Sequence, residues 1–523
     1  MLSSMAATAE TVAKFYYPGL ARSSGGGGPS FPPPSPGAPN AAPVIASTVL
    51  KTTTRDKPVD ITAAEMLAAV SDADGDALTI SSLFPTAGSL TDNMNLTWSW
   101  TPPSGRLGDF DLNFSVTDGK ASAAGIVRVS VILASLAGNA FAWGADTFGM
   151  LGNGPLHDGM QRPYRLWGPT GEDDGLDFTT LAIASGADTA SFACGIRGGT
   201  GAAYCWGNGS TGTLGDGTVA AHWSETPSAV AGGLSFSKIS AGDSHVVALD
   251  TAGTAWTWGS SKTDYEGGTG DSVDYGVPTR VHGPTSLSDA LTYSDISTGD
   301  RHSCGIQSGT GAAYCWGRSD SGRTGTAVDT GTRSRPRQVS MPSGASSYVA
   351  FTQIEAGEGQ TFAIEQGTGL VWAWGYNGDG RLGLGANRSN PLKPVRIDGP
   401  TGTADRLAFA KISARFKHAC GITAVGDAYC WGLNPAGEIG DGTSSTVVER
   451  PVPVAGGRKW DDIATGRSFS CGIERGTGDA YCWGSWVATG GSTSPLPVLM
   501  TEADGTKFSK IFGGTQAVMA IKR

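Results

Sequence analysis

The stretch Ile296-Ser297-Thr298-Gly299-Asp300-Arg301-His302-Ser303-Cys304-Gly305-Ile306, followed after a Gly-rich turn by Ala313-Tyr314-Cys315-Trp316-Gly317, decides the fold because the chain writes it again and again. Trp-Gly pairs begin at Trp143, Trp206, Trp258, Trp316, Trp374, Trp431 and Trp483, each 52 to 63 residues after the one before. The strand ahead of the Trp-Gly strand recurs at Ala193 to Ile196, Val246 to Leu249, Phe362 to Ile364, Ala419 to Ile422 and Ser470 to Ile473. A period of this size, repeated so often, predicts an array of supersecondary units.

The two ends of the array are complementary. Ala140-Phe141-Ala142-Trp143-Gly144 has no preceding partner strand, and the last copy of that strand, Val518-Met519-Ala520-Ile521, has no Trp-Gly strand after it. Pairing the two would close a ring and remove the sheet edges that an open array leaves exposed.

These residues resemble the regulator-of-chromosome-condensation repeat over roughly residues 136 to 523. A second mark of that family, the turn Gly-x-Asn-x-x-Gly-x-Leu-Gly-x-Gly, appears with substitutions at Gly144 to Gly154, Gly207 to Gly217, Gly375 to Gly385 and Gly432 to Gly442. Units three and four depart from it, and unit seven nearly loses it. The resemblance implies a seven-bladed β-propeller. With the module described below, the expected fold class is all-β: a propeller closed by its terminal strands, plus an N-terminal β-sandwich.

All eight cysteines fall at matched repeat positions: Cys194 with Cys205, Cys304 with Cys315, Cys420 with Cys430, and Cys471 with Cys482. Each pair would face across a hairpin, at disulfide range. Where the pair is missing, both members are missing: Val247 faces Thr257, Phe362 faces Ala373, and Met519 would face Ala142. Paired loss is what a covalent bond predicts, and disulfides imply an oxidising compartment. Reduced core cysteines or zinc are the alternatives; two cysteines per unit give zinc no four-ligand set.

The 523 residues include 79 Gly, and only 16% are charged, which suits many short strands joined by turns. Net charge −10 argues against a general nucleic-acid binder, because phosphate contact needs clustered cations. Arg323, Arg333, Arg335 and Arg337 form a local basic group, read as a solvated loop. No segment reaches the apolar length of a membrane span. Residues 1 to 20 contain Glu10 and Lys14 and no apolar run of signal-peptide length, which conflicts with the cysteine reading. A mis-placed start, a non-classical export route, or carriage on a virion or filament would reconcile them.

Three segments are expected: residues 1–43 as a disordered N-terminal segment ending in a Gly/Pro-rich linker, 44–135 as a sandwich, and 136–523 as the propeller. A short helix over residues 5 to 16 is the alternative to a frayed terminus. In the middle segment, Thr97 to Thr101, Asp111 to Thr117 and Ile126 to Ile132 alternate as half-buried strands. With Asp72-Ala73-Asp74-Gly75-Asp76 and the later Asp118-Gly119, this segment resembles bacterial immunoglobulin-like and cadherin-like domains. Asp72, Asp74 and Asp76, with Asp118 as fourth, are candidate calcium ligands. The competing reading is a polar turn capped by its own carboxylates. No cofactor is otherwise required.

His245, His302 and His418 share one repeat position, where other units carry Phe192, Gln360, Phe469 and Ala517; that tolerance marks a framework position. His157, His222 and His282 lie in connections. No nucleophile elbow, phosphate loop or metalloprotease motif occurs, and nothing nominates an acid/base couple. No enzymatic activity is expected. Units one, three and five carry a related insertion, at Gly168-Pro169-Thr170, Gly283-Pro284-Thr285 and Gly399-Pro400-Thr401. Variable loops on a rigid ring suit a binding platform. Tyr164, Trp167, Trp223, Tyr265 and Tyr275 are candidate contact anchors, the alternative being that each packs on its own blade.

The expected function is a non-enzymatic extracellular or cell-surface binding or adhesion protein. Its propeller would recognise an unidentified protein partner, with the sandwich as spacer and no nucleic acid or small molecule involved. The alternatives are a virion or filament component docked by the N-terminal segment, and a guanine-nucleotide exchange factor acting on a small GTPase.

Overall fold

The computed structural model describes residues 40–54, 57–103, 106, 108–132, 138–154, 160–171, 174–184, 191–342, 348–485, 493–500 and 505–523. The N-terminal segment and linker up to residue 39, and His157, lie outside the described residues. The chain divides into two compact units, Met1–Ser135 and Leu136–Arg523.

The first unit is a sandwich of two larger sheets, beside a short pairing of Val44–Ile45 with Val70–Ser71. One orders Val49–Thr54, Ser122–Ile132, Gly108–Thr117 and Thr79–Pro85; the other orders Val59–Thr62, Thr97–Thr101 and Ser89–Asp92. The alternation expected from sequence is what fills it: Leu112, Phe114 and Val116 from one strand, and Val127, Val129 and Val131 from the next, pack with Trp100 and Ile61. A one-turn helix at Ala63–Leu67, absent from the sequence reading, is set by a capping box. The Thr62 hydroxyl accepts from Glu65 N, and the Glu65 carboxylate accepts from Thr62 N.

The second unit contains seven four-stranded antiparallel sheets, one per Trp-Gly pair. In each, the Trp-Gly strand is third from the axis. The first blade draws on both ends of the unit: Ala140–Gly144 runs antiparallel to Ala517–Lys522, with Ala142 opposite Met519. Within the other blades the expected register also appears, with Val247 opposite Thr257, Phe362 opposite Ala373, and each cysteine opposite its partner. Four disulfides form, Cys194–Cys205, Cys304–Cys315, Cys420–Cys430 and Cys471–Cys482, and no described cysteine is free.

The Trp-Gly signature has a packing cause. All seven Trp side chains are buried, and five indole N–H groups donate to a carbonyl in the Gly-rich turn of the preceding blade. For Trp316 the acceptor is Glu266 O, 2.8 Å away. The turn must come very close to deliver that carbonyl. At Gly268, with φ +72°, a Cβ would lie 2.7 Å from Trp316 Nε1, so only glycine fits.

A second system of contacts joins neighbouring blades. His245 Nε2 meets Ser303 Oγ, His302 Nε2 meets Thr361 Oγ1, and His418 Nε2 meets Ser470 Oγ, at 2.8–2.9 Å, each from one blade to the next. Those hydroxyls donate onward to Glu266 O, Arg323 O and Glu438 O. The hydroxyl hydrogen is thereby committed, so Nε2 carries the imidazole proton. Burial pushes His245 down to about 3 and His418 to about 4, leaving both neutral. These histidines are framework, as their repeat position suggested.

A third system lines the axis. The inner strands of all seven blades enclose a channel of about 470 Å³. Its polar residues sew blades together. Asp295 Oδ2 accepts from Ile354 N (2.8 Å) of the next blade, and its other oxygen takes Lys238 of the previous one. Asp462 repeats this with Ile511 N (2.9 Å) and Lys411. Arg415 reaches across from the sixth blade and donates to Ile183 O and Ala241 O, in blades two and three, at 2.8 and 3.0 Å.

Candidate recognition face

Each propeller blade exposes two kinds of connection. The loop after the inner strand and the Gly-rich turn lie at one end of the blade, as Ser260 N donating to Ser244 O (2.7 Å) shows in blade three. The hairpin between the middle strands and the Gly-Pro-Thr insertions lie at the other. The insertions are self-capped. Thr170, Thr285 and Thr401 each donate both backbone N–H and hydroxyl to the carboxylate of Asp174, Asp289 or Asp405, at 2.6–2.9 Å. Those hydrogen bonds, led by the Thr285 hydroxyl, hold Asp289 down at about 2. The aspartates are thus engaged in holding their own loops.

The turn end differs, because blades three to five concentrate charge there. Asp243, Asp300 and Glu358 occupy one repeat position, directly after the inner-strand glycine, in consecutive blades. Burial, then the neighbouring Asp243 carboxylate, raises Asp300 to about 6. Arg301 bridges Asp300 (3.8 Å) and Asp264 of the preceding blade (3.3 Å). Arg323, nearly buried, pairs with Asp320 at 3.1 Å, and Arg318 holds the same carboxylate at 2.8 Å. In blade five, Arg381 is gripped by Asp379 (2.5 Å) and Gln360 (3.0 Å), with Glu358 at 3.9 Å and the Tyr376 ring beneath it. Glu266, buried under this group, is raised to about 7 by desolvation first and Asp264 second. The result is a contiguous field of alternating carboxylates and guanidinium groups. It can accept and donate charge-assisted hydrogen bonds to a complementary surface.

The Asp243–Asp300 pairing makes a pH prediction. A carboxyl group whose folded pKa lies above its unfolded value favours folding below the unfolded value, near 4, and loses that contribution as pH rises through about 6. Asp300→Asn cannot ionise. Its melting temperature relative to the parent is expected to be higher at pH 8 than at pH 5, by thermal denaturation at both pH values.

The five aromatic anchors separate in the structure. Trp223 is 62% exposed, at the start of the outer strand Trp223–Ala229. Trp167 lies over Gly154 of its own blade, and Tyr275 packs on the core between blades two and three while donating to Asp271 at 2.9 Å. Tyr265 sits half-buried at a turn tip with φ +60°, and Tyr164 half-buried in the outer strand opposite Ala142. Only Trp223 among them is an open aromatic surface.

The candidate calcium residues take other partners. Asp72 Oδ1 accepts from the backbone N–H of Asp74, Gly75 and Asp76, which is the self-capped turn. Asp76 binds the Lys120 ammonium at 2.9 Å, Asp74 accepts from Ala41 N, and Asp118 accepts from Asn40, Lys120 N and Ala121 N. Among the described residues no group of three His, Cys, Asp or Glu side chains is placed to hold a metal ion. Asp72, Asp74, Asp76 and Asp118 are thus each engaged by the domain's own donors, with the Lys120 ammonium on Asp76.

The four arginines read as a solvated loop are placed differently. Arg323 is nearly buried in a turn, while Arg333, Arg335 and Arg337 belong to the outer strand Thr332–Gln338 of blade four. No described helix is long and apolar enough to cross a membrane.

Comparison with known proteins agrees with this architecture. The cadherin-like domain model matches residues 39–132. Models of the regulator of chromosome condensation (RCC1) repeat match residues 200–249, 310–364 and 368–420, and a second such model matches 236–263. The chain is 28% identical over 289 residues to the ultraviolet-B receptor UVR8 of Arabidopsis thaliana, covering 54% of this chain and 62% of that protein. It is 28% identical over 289 residues to the human E3 ubiquitin-protein ligase HERC2, covering 6% of it. Thus the chain spans less than two thirds of either relative. Among solved structures, Prp20p from Saccharomyces cerevisiae matches with TM-score 0.59 at 20% identity, over 73% of this chain and 91% of that one. Human WBSCR16 matches with TM-score 0.60 at 15% identity, over 74% and 98%. Repeats, blades and neighbours agree: the chain carries RCC1 repeats and folds as a β-propeller, preceded in sequence by a cadherin-like domain.

Proposed function

We propose that this chain is a non-enzymatic extracellular or cell-surface binding protein whose propeller recognises another protein through the charged turn end of blades three to five. The observation that carries this reading is the Asp264–Arg301–Asp300–Asp243 group, in which the buried Asp264 and half-buried Asp300 carboxylates orient an arginine that keeps 42% of its side chain exposed. Arginines oriented in this way are frequent anchors in protein interfaces. A rigid ring of seven hydrogen-bonded blades, four of them carrying a disulfide, suits recognition because little ordering is needed on binding. The four disulfides support the oxidising location. RCC1-repeat relatives point the same way: the Prp20p structure is described with its binding to Gsp1p and histones.

The test is capture of surface and secreted proteins from the native environment by the full chain, compared with Arg301→Glu. Reversing an interfacial charge places like charges together, so the partner's affinity is expected to fall at least about tenfold; the new carboxylate beside Asp264 and Asp300 also lowers the melting temperature, so capture is compared well below it. Equal capture by a folded Arg301→Glu chain would place recognition elsewhere.

A further inference from the structure

The outer rim of blade four holds three arginines without a carboxylate. Arg333, Arg335 and Arg337 line one open groove of about 470 Å³, together with Thr326, Thr332 and Ser334. Among the described residues none of the three makes an ion pair, although the chain carries net charge −10 and arginines elsewhere on blade rims are paired. Arg333 spends its donors on Thr326 Oγ1 and Thr332 O. Arg335 Nε is buried without a partner, and so is the nearby His282 Nδ1.

The repeat shows what completes such a corner. Gly270 N donates to Ser334 O, just as Gly385 N donates to Glu449 O, so Arg335 and Arg450 are equivalent. His282 N donates to Gly268 O, just as Asp398 N donates to Gly383 O, so His282 and Asp398 are equivalent. At the blade-six corner, Arg450 Nε donates to Asp398 Oδ2 at 3.2 Å. At two further corners the same register brings Ala231 beside Val277 and Ala455 beside Leu496, which have no charge to satisfy. Blade four has kept the arginine and replaced its carboxylate with a histidine, whose imidazole is pushed below its usual range by burial first and the Arg335 charge second.

We infer that the Arg333–Arg335–Arg337 groove binds a carboxylate-bearing segment of a protein partner, with one carboxylate giving Arg335, from the groove side, the counter-charge that Asp398 gives Arg450. The ligand is an extended Asp- or Glu-rich stretch. Guanidinium groups engage carboxylates through paired N–H donors, and the groove hydroxyls can donate alongside them. An oligonucleotide is the competing polyanion. The internal stand-in is a carboxylate, and the protein's overall negative charge opposes a long polyphosphate. The inference deepens the protein-recognition reading and rests on it, but it concerns the blade-four rim rather than the turn end.

The probe is a fluorescent hexa-aspartate peptide, titrated against the full chain by anisotropy at low and moderate salt, beside a single-stranded oligonucleotide of equal charge. The peptide is expected to bind with salt-sensitive affinity, and Arg333→Ser/Arg335→Ser/Arg337→Ser to weaken it at least tenfold. His282→Asp is the second variant. It installs the blade-six carboxylate, adds no bulk, and is expected to weaken the peptide comparably at unchanged or higher melting temperature. No peptide binding, equal binding by parent and both variants, or preference for the oligonucleotide overturns the inference. If the native partner is lost on Arg301→Glu but kept by the groove variants, the groove assignment falls while the recognition reading stands.

Discussion

Reduction of the four disulfides is expected to lower the unfolding free energy of the propeller by on the order of 10 kcal/mol. Each bridge joins cysteines 10 or 11 residues apart, and closing a loop of that size stabilises the folded state by about 2.5–3 kcal/mol in the chain-entropy view. The bridges lie in different blades, so their contributions should be nearly additive. The sum is comparable with the whole stability of an ordinary domain, roughly 5–15 kcal/mol. Urea unfolding with and without a phosphine reductant measures it, with thiol labelling to confirm complete reduction. Paired Cys→Ala replacement of one bridge should lower stability by about 2–3 kcal/mol. An unchanged urea midpoint in fully reduced protein would show that the blades hold without their covalent links.

Removing Asp462 should be among the most damaging single changes on the channel wall. Its carboxylate accepts from Ile511 N and Ile463 N and holds Lys411, so it links blades six, seven and one. Asp462→Ala leaves two buried backbone donors unsatisfied and an ammonium without its counterion. Lys411 retains access to channel water, which moderates the loss, and the expected cost is about 2–5 kcal/mol. Asp295 makes the same contacts among blades three, four and five, so Asp295→Ala should cost a similar amount. Asp462→Asn keeps an acceptor and should recover part of it. Chemical denaturation of the three variants decides the matter; a large loss at one aspartate and none at the other would break the equivalence of the two sites.

The parts of this molecule that were legible in its sequence are those that recur in register. Trp143 through Trp483 mark seven strands, and the indoles from Trp206 to Trp483 each meet the glycine turn of the preceding blade. The cysteine pairs were legible because hairpin register alone determines which residue faces which. Contacts between blades were harder to read. Asp295 and Asp462 sit at an inner-strand position that also holds Thr180, Lys238, Gln353, Lys411 and Lys510, so no single residue type marks it. What repeats is the act of reaching the next blade, through an ion pair in one place and a backbone N–H in another. The Asp243–Asp300 pair was present in the repeat alignment as one position in adjacent units. Its meaning depended on how closely two neighbouring loops approach. The helix at Ala63–Leu67 was signalled by Thr62 and Glu65, but it is one turn long and sits inside an otherwise β pattern. The aromatic anchors illustrate the opposite difficulty: sequence places Trp167, Tyr265 and Tyr275 in connections, yet a glycine or an aspartate of the same blade gives two of them a local partner.

The binding reading depends first on the chain living where its disulfides persist. The most direct measurement is a free-thiol count on protein isolated from its native source without reductant, with rapid alkylation. None of the eight cysteines should label before reduction, and all eight after it. Eight labelled thiols in the native protein would contradict the oxidised, surface-exposed life proposed for it and would turn the search for partners to a reducing compartment.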